Sequence, residues 1–184
     1  KGFLLSPVES FQKAKGDTFQ DAFIYYLILL VVYAVLSTIV AAVMPQPAIP
    51  GFPGGMPFGS GVFLIGAFIA SIIGGIIGLF ILGVILHIFV YLFGGRRGIT
   101  ETLKAVAYGY TPSLILGWIP IVNFLAALYT LVLFVFGIRE LQEMSTTRAI
   151  LAVLAPILIL IAIAIVAAIL FAAFIITAVL SQIA

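Results

Sequence analysis

Between Val62 and Phe93 the chain runs for 32 residues without an Asp, Glu, Lys or Arg. Wound as an α-helix, at about 1.5 Å per residue, this stretch is about 48 Å long, against a hydrocarbon core of about 30 Å. It is too long for one perpendicular crossing and too short for two with a turn, so it reads as a single tilted membrane helix. A soluble fold has no means of hiding such a run. Of the 184 residues 65% are hydrophobic and 8% charged, where a soluble domain carries about 25% charged residues. Lipid is therefore the solvent, and the fold class expected is an all-α integral membrane protein.

The other segments fall into place around that run. Ser6-Pro7-Val8-Glu9 reads as a capping box opening a short helix that ends at Gly16, suited to lying along the lipid headgroups. Residues 1–20 thus form an interfacial, amphipathic segment ahead of a transmembrane domain at 21–184. Asp17-Thr18-Phe19-Gln20 caps the next helix in the same way. The spans are expected near 21–43, 62–93, 105–119, 123–138 and 148–180, a bundle of five. The stretch from Met44 to Gly61 carries five prolines among its glycines and reads as a loop. The third span is short and interrupted by Pro112, with Lys104 snorkelling at one interface and Trp118 at the other. Pro156 is expected to kink the fifth. The alternative is four spans plus an interfacial helix, with 112–138 as one crossing.

Charge decides the orientation. All eight cations and all six acids lie in the N-terminal segment, the second loop or the fourth loop of the five-span reading. The first loop, the third loop and the C-terminal Ser181-Gln182 tail carry none. The positive-inside bias then puts the N-terminus in the cytoplasm and the C-terminus outside. Because the chain begins with Lys1 rather than methionine, a short N-terminal piece is expected to be missing. No cleavable signal is expected, the first apolar run starting only after a mixed polar stretch.

Several chemistries are disfavoured. A net charge of +2 without a basic stripe gives no nucleic-acid footprint. The lack of cysteine removes disulfides, iron–sulfur clusters and thiolate metal sites. One histidine and no carboxylate at mid-membrane depth cannot build a metal shell, so no cofactor is expected. Gly59-Ser60-Gly61 looks like an intramembrane serine protease motif, but Ser60 stands about 40 Å of helix from His87, whereas a Ser–His pair needs about 3 Å. The chain is not expected to be an enzyme.

Several segments, in order, resemble the Yip1-domain family of membrane proteins. They are Ser6-Pro7-Val8-Glu9-Ser10-Phe11, His87 near the end of the long span, Gly94-Gly95, Val106-Ala107-Tyr108-Gly109-Tyr110-Thr111-Pro112, Gly137-Ile138-Arg139-Glu140, and Arg148-Ala149-Ile150-Leu151-Ala152-Val153. The resemblance covers nearly the whole chain and implies five transmembrane helices with a cytoplasmic N-terminus. Eukaryotic members act in vesicle trafficking and associate with Rab-type GTPases. The short segment ahead of the first span, lacking their long cytosolic region, argues against GTPase recruitment and for a prokaryotic-type member.

The residues singled out are few. His87, with Gly83 and Tyr91 on its face, is an intramembrane ionisable group: a functional candidate, or a hydrogen-bonding link between helices. Tyr110 and Pro112 mark a break that could free backbone carbonyls, as in transporters, or could simply be a packed kink. Arg139 and Glu140 could pair across the charged face with Arg96, Arg97 or Glu101. Gly66, Ala70, Gly74 and Gly78 recur every four residues, a small-residue stripe on which another helix can pack closely. The function expected is a non-enzymatic organiser of membranes or complexes, its partners being lipid, a second copy or other membrane proteins. The alternative is a channel or transporter for a small or amphipathic solute.

Overall fold

A computed structural model describes residues 2–44 and 61–183. The loop expected between the first two spans, and Ser60 within it, lie outside the described residues. Among the described residues all regular structure is helical: α1 Gly2–Leu5, α2 Pro7–Lys13, α3 Phe19–Val43, α4 Gly61–Leu92, α5 Ile99–Gly109, α6 Thr111–Leu116, α7 Val122–Leu141 and α8 Thr146–Ile183. Four of them, α3, α4, α7 and α8, are long and apolar enough to cross a membrane. The chain is an all-α, multi-pass integral membrane protein.

The segment between α4 and α7 is the hub. Eight consecutive residues of α5, Thr102 to Gly109, are buried, enclosed by α3, α4 and α7. Small residues make this possible: Gly109 lies against Phe134, and Ala105 against Gly137. Further along, the Ser113 and Thr130 hydroxyls bond at 2.7 Å. These pairings run α5 and α6 antiparallel along α7. Pro112 has no N–H to offer the Tyr108 carbonyl, and the Thr111 hydroxyl donates to that carbonyl instead at 2.5 Å. The break is thus a hydrogen-bonded kink, not an unwound stretch. The chain then reverses through residues 117–121, where Ile121 takes φ 73°. The alternative reading of 112–138 as one helix is overturned by that reversal.

The N-terminal segment departs from expectation. Ser6 makes no side-chain cap; its carbonyl accepts from the Ser10 hydroxyl at 2.9 Å, because residues 2–5 are already helical ahead of it. The capping box forms instead at the start of α3: Thr18 N donates to Asp21 Oδ2 at 2.8 Å and Asp21 N to Thr18 Oγ1 at 3.3 Å. Asp17 is not the cap, for its carboxylate accepts the Tyr108 hydroxyl.

Nor does this segment merely lie along the headgroups. Phe11 is fully buried against Gly137 and Ala105, and Phe3 stacks on Tyr108 at 4.6 Å. The Tyr129 hydroxyl, about three turns in from the end of α7, donates to the Leu4 carbonyl at 2.8 Å. Phe11→Ala is expected to cost about 3–5 kcal/mol and to release residues 2–16, which limited proteolysis in detergent would read as early cleavage there.

The small-residue stripe also faces elsewhere than expected. Nothing lies within 4 Å of where a Cβ would stand on Gly66, Gly74 or Gly78, and Ala70 is exposed. Close approach is made at Gly75, against Leu30, and at Gly83, against Leu103. Gly75 is about 100° around the helix from Gly74, and that turn of the surface is what α3 meets.

Among its described side chains, the last helix packs near its start. Ala149, Ala152, Val153 and Pro156 are buried, whereas Leu158 to Ile176 are exposed throughout. Pro156 sits inside a continuous helix.

Candidate functional site

Two places combine polar chemistry with a defined shape. The first is a seam at the charged end, built on Gln142, which caps α7 and is 3% exposed. Its amide nitrogen donates to the Gly98 carbonyl at 2.7 Å and to the Thr102 hydroxyl at 3.0 Å, and its oxygen accepts from Arg97 N at 3.0 Å. Thr102 in turn bonds His87 Nδ1 at 2.9 Å. The chain from His87 through Thr102 and Gln142 to the 94–98 turn ties α4, α5 and α7 together. His87 on α4 is thus hydrogen-bonded to α5 through Thr102. Gln142 was not picked out from the sequence, although a lone amide at the end of an apolar helix was the available signal.

Charged side chains close the same end. Lys104 is 1% exposed and paired with Glu101 at 3.0 Å, so it is sealed in the bundle rather than snorkelling. Arg97 pairs with Glu143, which also lies 3.7 Å from Lys15 of the N-terminal segment. Arg139 and Glu140 do not reach across the face; they bond each other at 2.6 Å, with the guanidinium over Phe136. Their expected partners are engaged elsewhere. Glu101 holds Lys104, Arg97 holds Glu143, and Arg96 lies over the Tyr91 ring and donates to the Tyr91 carbonyl.

The Arg97 guanidinium holds the Glu143 carboxyl below the usual carboxylate range. A carboxylate whose folded value is depressed contributes its tie above the unfolded value and loses it as pH falls through the folded one. The Arg97–Glu143–Lys15 contact should therefore survive mild acid and part only below the ordinary range. A carbon-13 titration of the Glu143 carboxyl checks this, an ordinary midpoint being the contrary result.

The second place is a cavity of about 350 Å³ between α3, α4, α6 and the start of α7. Its wall carries Tyr26 and Tyr33, Ser71, Gly74, Gly75 and Gly78, Tyr110, Ser113 and Leu114, Gly117 and Asn123, with Leu30 completing it. Tyr26 donates to the Gly75 carbonyl at 2.8 Å, which fixes its ring. Tyr110 stands edge-on to both Tyr26 and Phe134. Together with Ser113 it also borders a second cavity of about 350 Å³, lined chiefly by Leu82, Leu86, Leu131, Phe134, Val153 and Pro156. Tyr110 thus borders both cavities, Pro112 is buried and lines neither, and Arg139 and Glu140 belong to the charged end.

Among the described residues no group of three or more His, Cys, Asp or Glu is placed to hold a metal ion. Compared with known proteins, residues 1–180 match the family model described as Yip1 domain. No curated protein and no solved structure matches the chain.

Proposed function

We propose, for a chain that belongs to the Yip1 domain family, that its work is non-enzymatic: it organises membranes or protein complexes through helix packing and through its charged face. The observation that carries this reading is the tying of that face into one unit. Gln142, Thr102 and His87 join three helices, and Glu143 joins the 94–98 turn to the N-terminal segment. A surface whose side chains are already fixed loses little conformational freedom when a partner docks.

The topology proposed with it has five crossings, the α5–α6 pair being the third. From Ile99 to Leu116 that pair is about 27 Å long, near the thickness of the hydrocarbon core. The charged face is cytoplasmic, the N-terminus with it and the C-terminus outside. Cross-linking in native membranes tests the function. Specific cross-links to a second copy or to another membrane protein from lysines or acids of the charged face are expected; recovery of the uncross-linked monomer alone contradicts it. For the rival reading, transport of a small or amphipathic solute, one observation speaks: the polar cavity beside Tyr110.

A further inference from the structure

We propose that the tyrosine-lined cavity between α3, α4 and α6 binds the uncharged, hydrogen-bonding head of an amphiphile drawn from the bilayer, of the glycerol-ester kind. Three of its polar side chains have no protein partner. Among the described residues the Tyr33 and Tyr110 hydroxyls and the Asn123 amide make no hydrogen bond. Among the described residues no fully buried side-chain polar atom is left unsatisfied, so the half-buried Tyr33 and Tyr110 hydroxyls are not sealed in protein, and Asn123 is exposed at the start of α7. For the two half-buried tyrosines, a hydroxyl in apolar surroundings without a partner is costly, and a ligand that supplies partners removes that cost.

The lining narrows the chemistry. No Asp, Glu, Lys, Arg or His borders the cavity, so a charged head would lie unpaired at membrane depth. A plain hydrocarbon would leave the three polar groups unmet. Hydroxyl and ester oxygens satisfy phenol and amide alike. The volume of about 350 Å³ equals about a dozen liquid-water volumes, room for a glycerol ester head and the first carbons of its chain.

The glycines supply the way in. Gly74 and Gly78 border the cavity with open space where a side chain would stand, and Ile73 and Ile77 beside them are about half exposed on the lipid side. The stripe is thus read as a doorway. The second cavity shares only Tyr110 of the three, and its Ser113 and Thr130 hydroxyls already bond each other.

The test uses the full chain in liposomes with three photoreactive, alkyne-tagged probes of equal chain length: a monoacylglycerol, a fatty acid and a hydrocarbon, with adducts mapped by mass spectrometry. The monoacylglycerol should label peptides carrying Tyr33, Tyr110 or Asn123 more strongly than the other two. Tyr110→Phe should lower that labelling up to about tenfold, the effect of one hydrogen bond. Gly78→Leu, whose Cβ meets nothing within 4 Å, should abolish it, and Gly74→Leu serves if that variant does not fold. Equal labelling by all three probes, labelling unchanged by the glycine variants, or no adduct on these peptides, as for a cavity holding only water, would overturn the proposal.

Discussion

Gly137→Leu is expected to destabilise the bundle by about 1–3 kcal/mol or more, while Gly74→Leu, one helix away, changes stability by less than about 0.5 kcal/mol. At Gly137 an added Cβ would stand 2.9 Å from Phe11 and 3.0 Å from Ala105 Cβ, two groups that are themselves buried. The N-terminal segment would have to leave, or α5 would have to shift from α7. At Gly74 the same atom meets nothing within 4 Å. Thermal unfolding of the two variants in the same detergent compares them directly, and equal midpoints would refute the packing described for α5.

The second large effect concerns the buried ion pair. Glu101→Gln should cost about 3–5 kcal/mol, because it strands a buried ammonium without its counter-charge. The residue left behind is Lys104, 1% exposed, against 24% for the Glu101 side chain. Lys104→Met should cost less, since the carboxylate it leaves can still reach water, and the double variant should fall near Lys104→Met. A full double-mutant cycle reads the coupling; additive losses would show that the pair is solvated after all.

Much of this fold was legible in the residues because bilayer physics writes in long strokes. The spans at 21–43, 62–93, 123–138 and 148–180 lie within a few residues of α3, α4, α7 and α8. The reversal before Val122 was marked by Pro120. What the residues concealed was azimuth. A four-residue stripe marks one face of α4 but does not say which neighbour comes to that face, and Leu30 arrives at Gly75 instead. Depth was concealed for the same reason: Lys104 three residues after Glu101 looks like an interfacial pair, and only the enclosure of α5 on three sides seals it.

The candidate site was less legible still. Tyr26, Tyr33, Ser71, Ser113 and Asn123 come from four helices and Tyr110 from the break between α5 and α6, and no local spacing links them. Tyr110 stands out in the sequence for the break beside it, and Gly74 and Gly78 for the stripe, but the other polar residues of the wall do not. The N-terminal segment misled in the opposite direction. An amphipathic segment of this length reads as interfacial, although the Gly137 surface that accepts Phe11 lies more than a hundred positions away.

Five crossings that keep every charged loop on one side of the membrane can be measured directly. The natural chain has no cysteine, so single-cysteine variants report side without background. Arg97, Arg148 and Ile121 are all exposed, and a membrane-impermeant thiol reagent can be applied to vesicles of known orientation. The account predicts that Arg97→Cys and Arg148→Cys label from the same side and Ile121→Cys from the other. Labelling of positions 97 and 148 from opposite sides would contradict it.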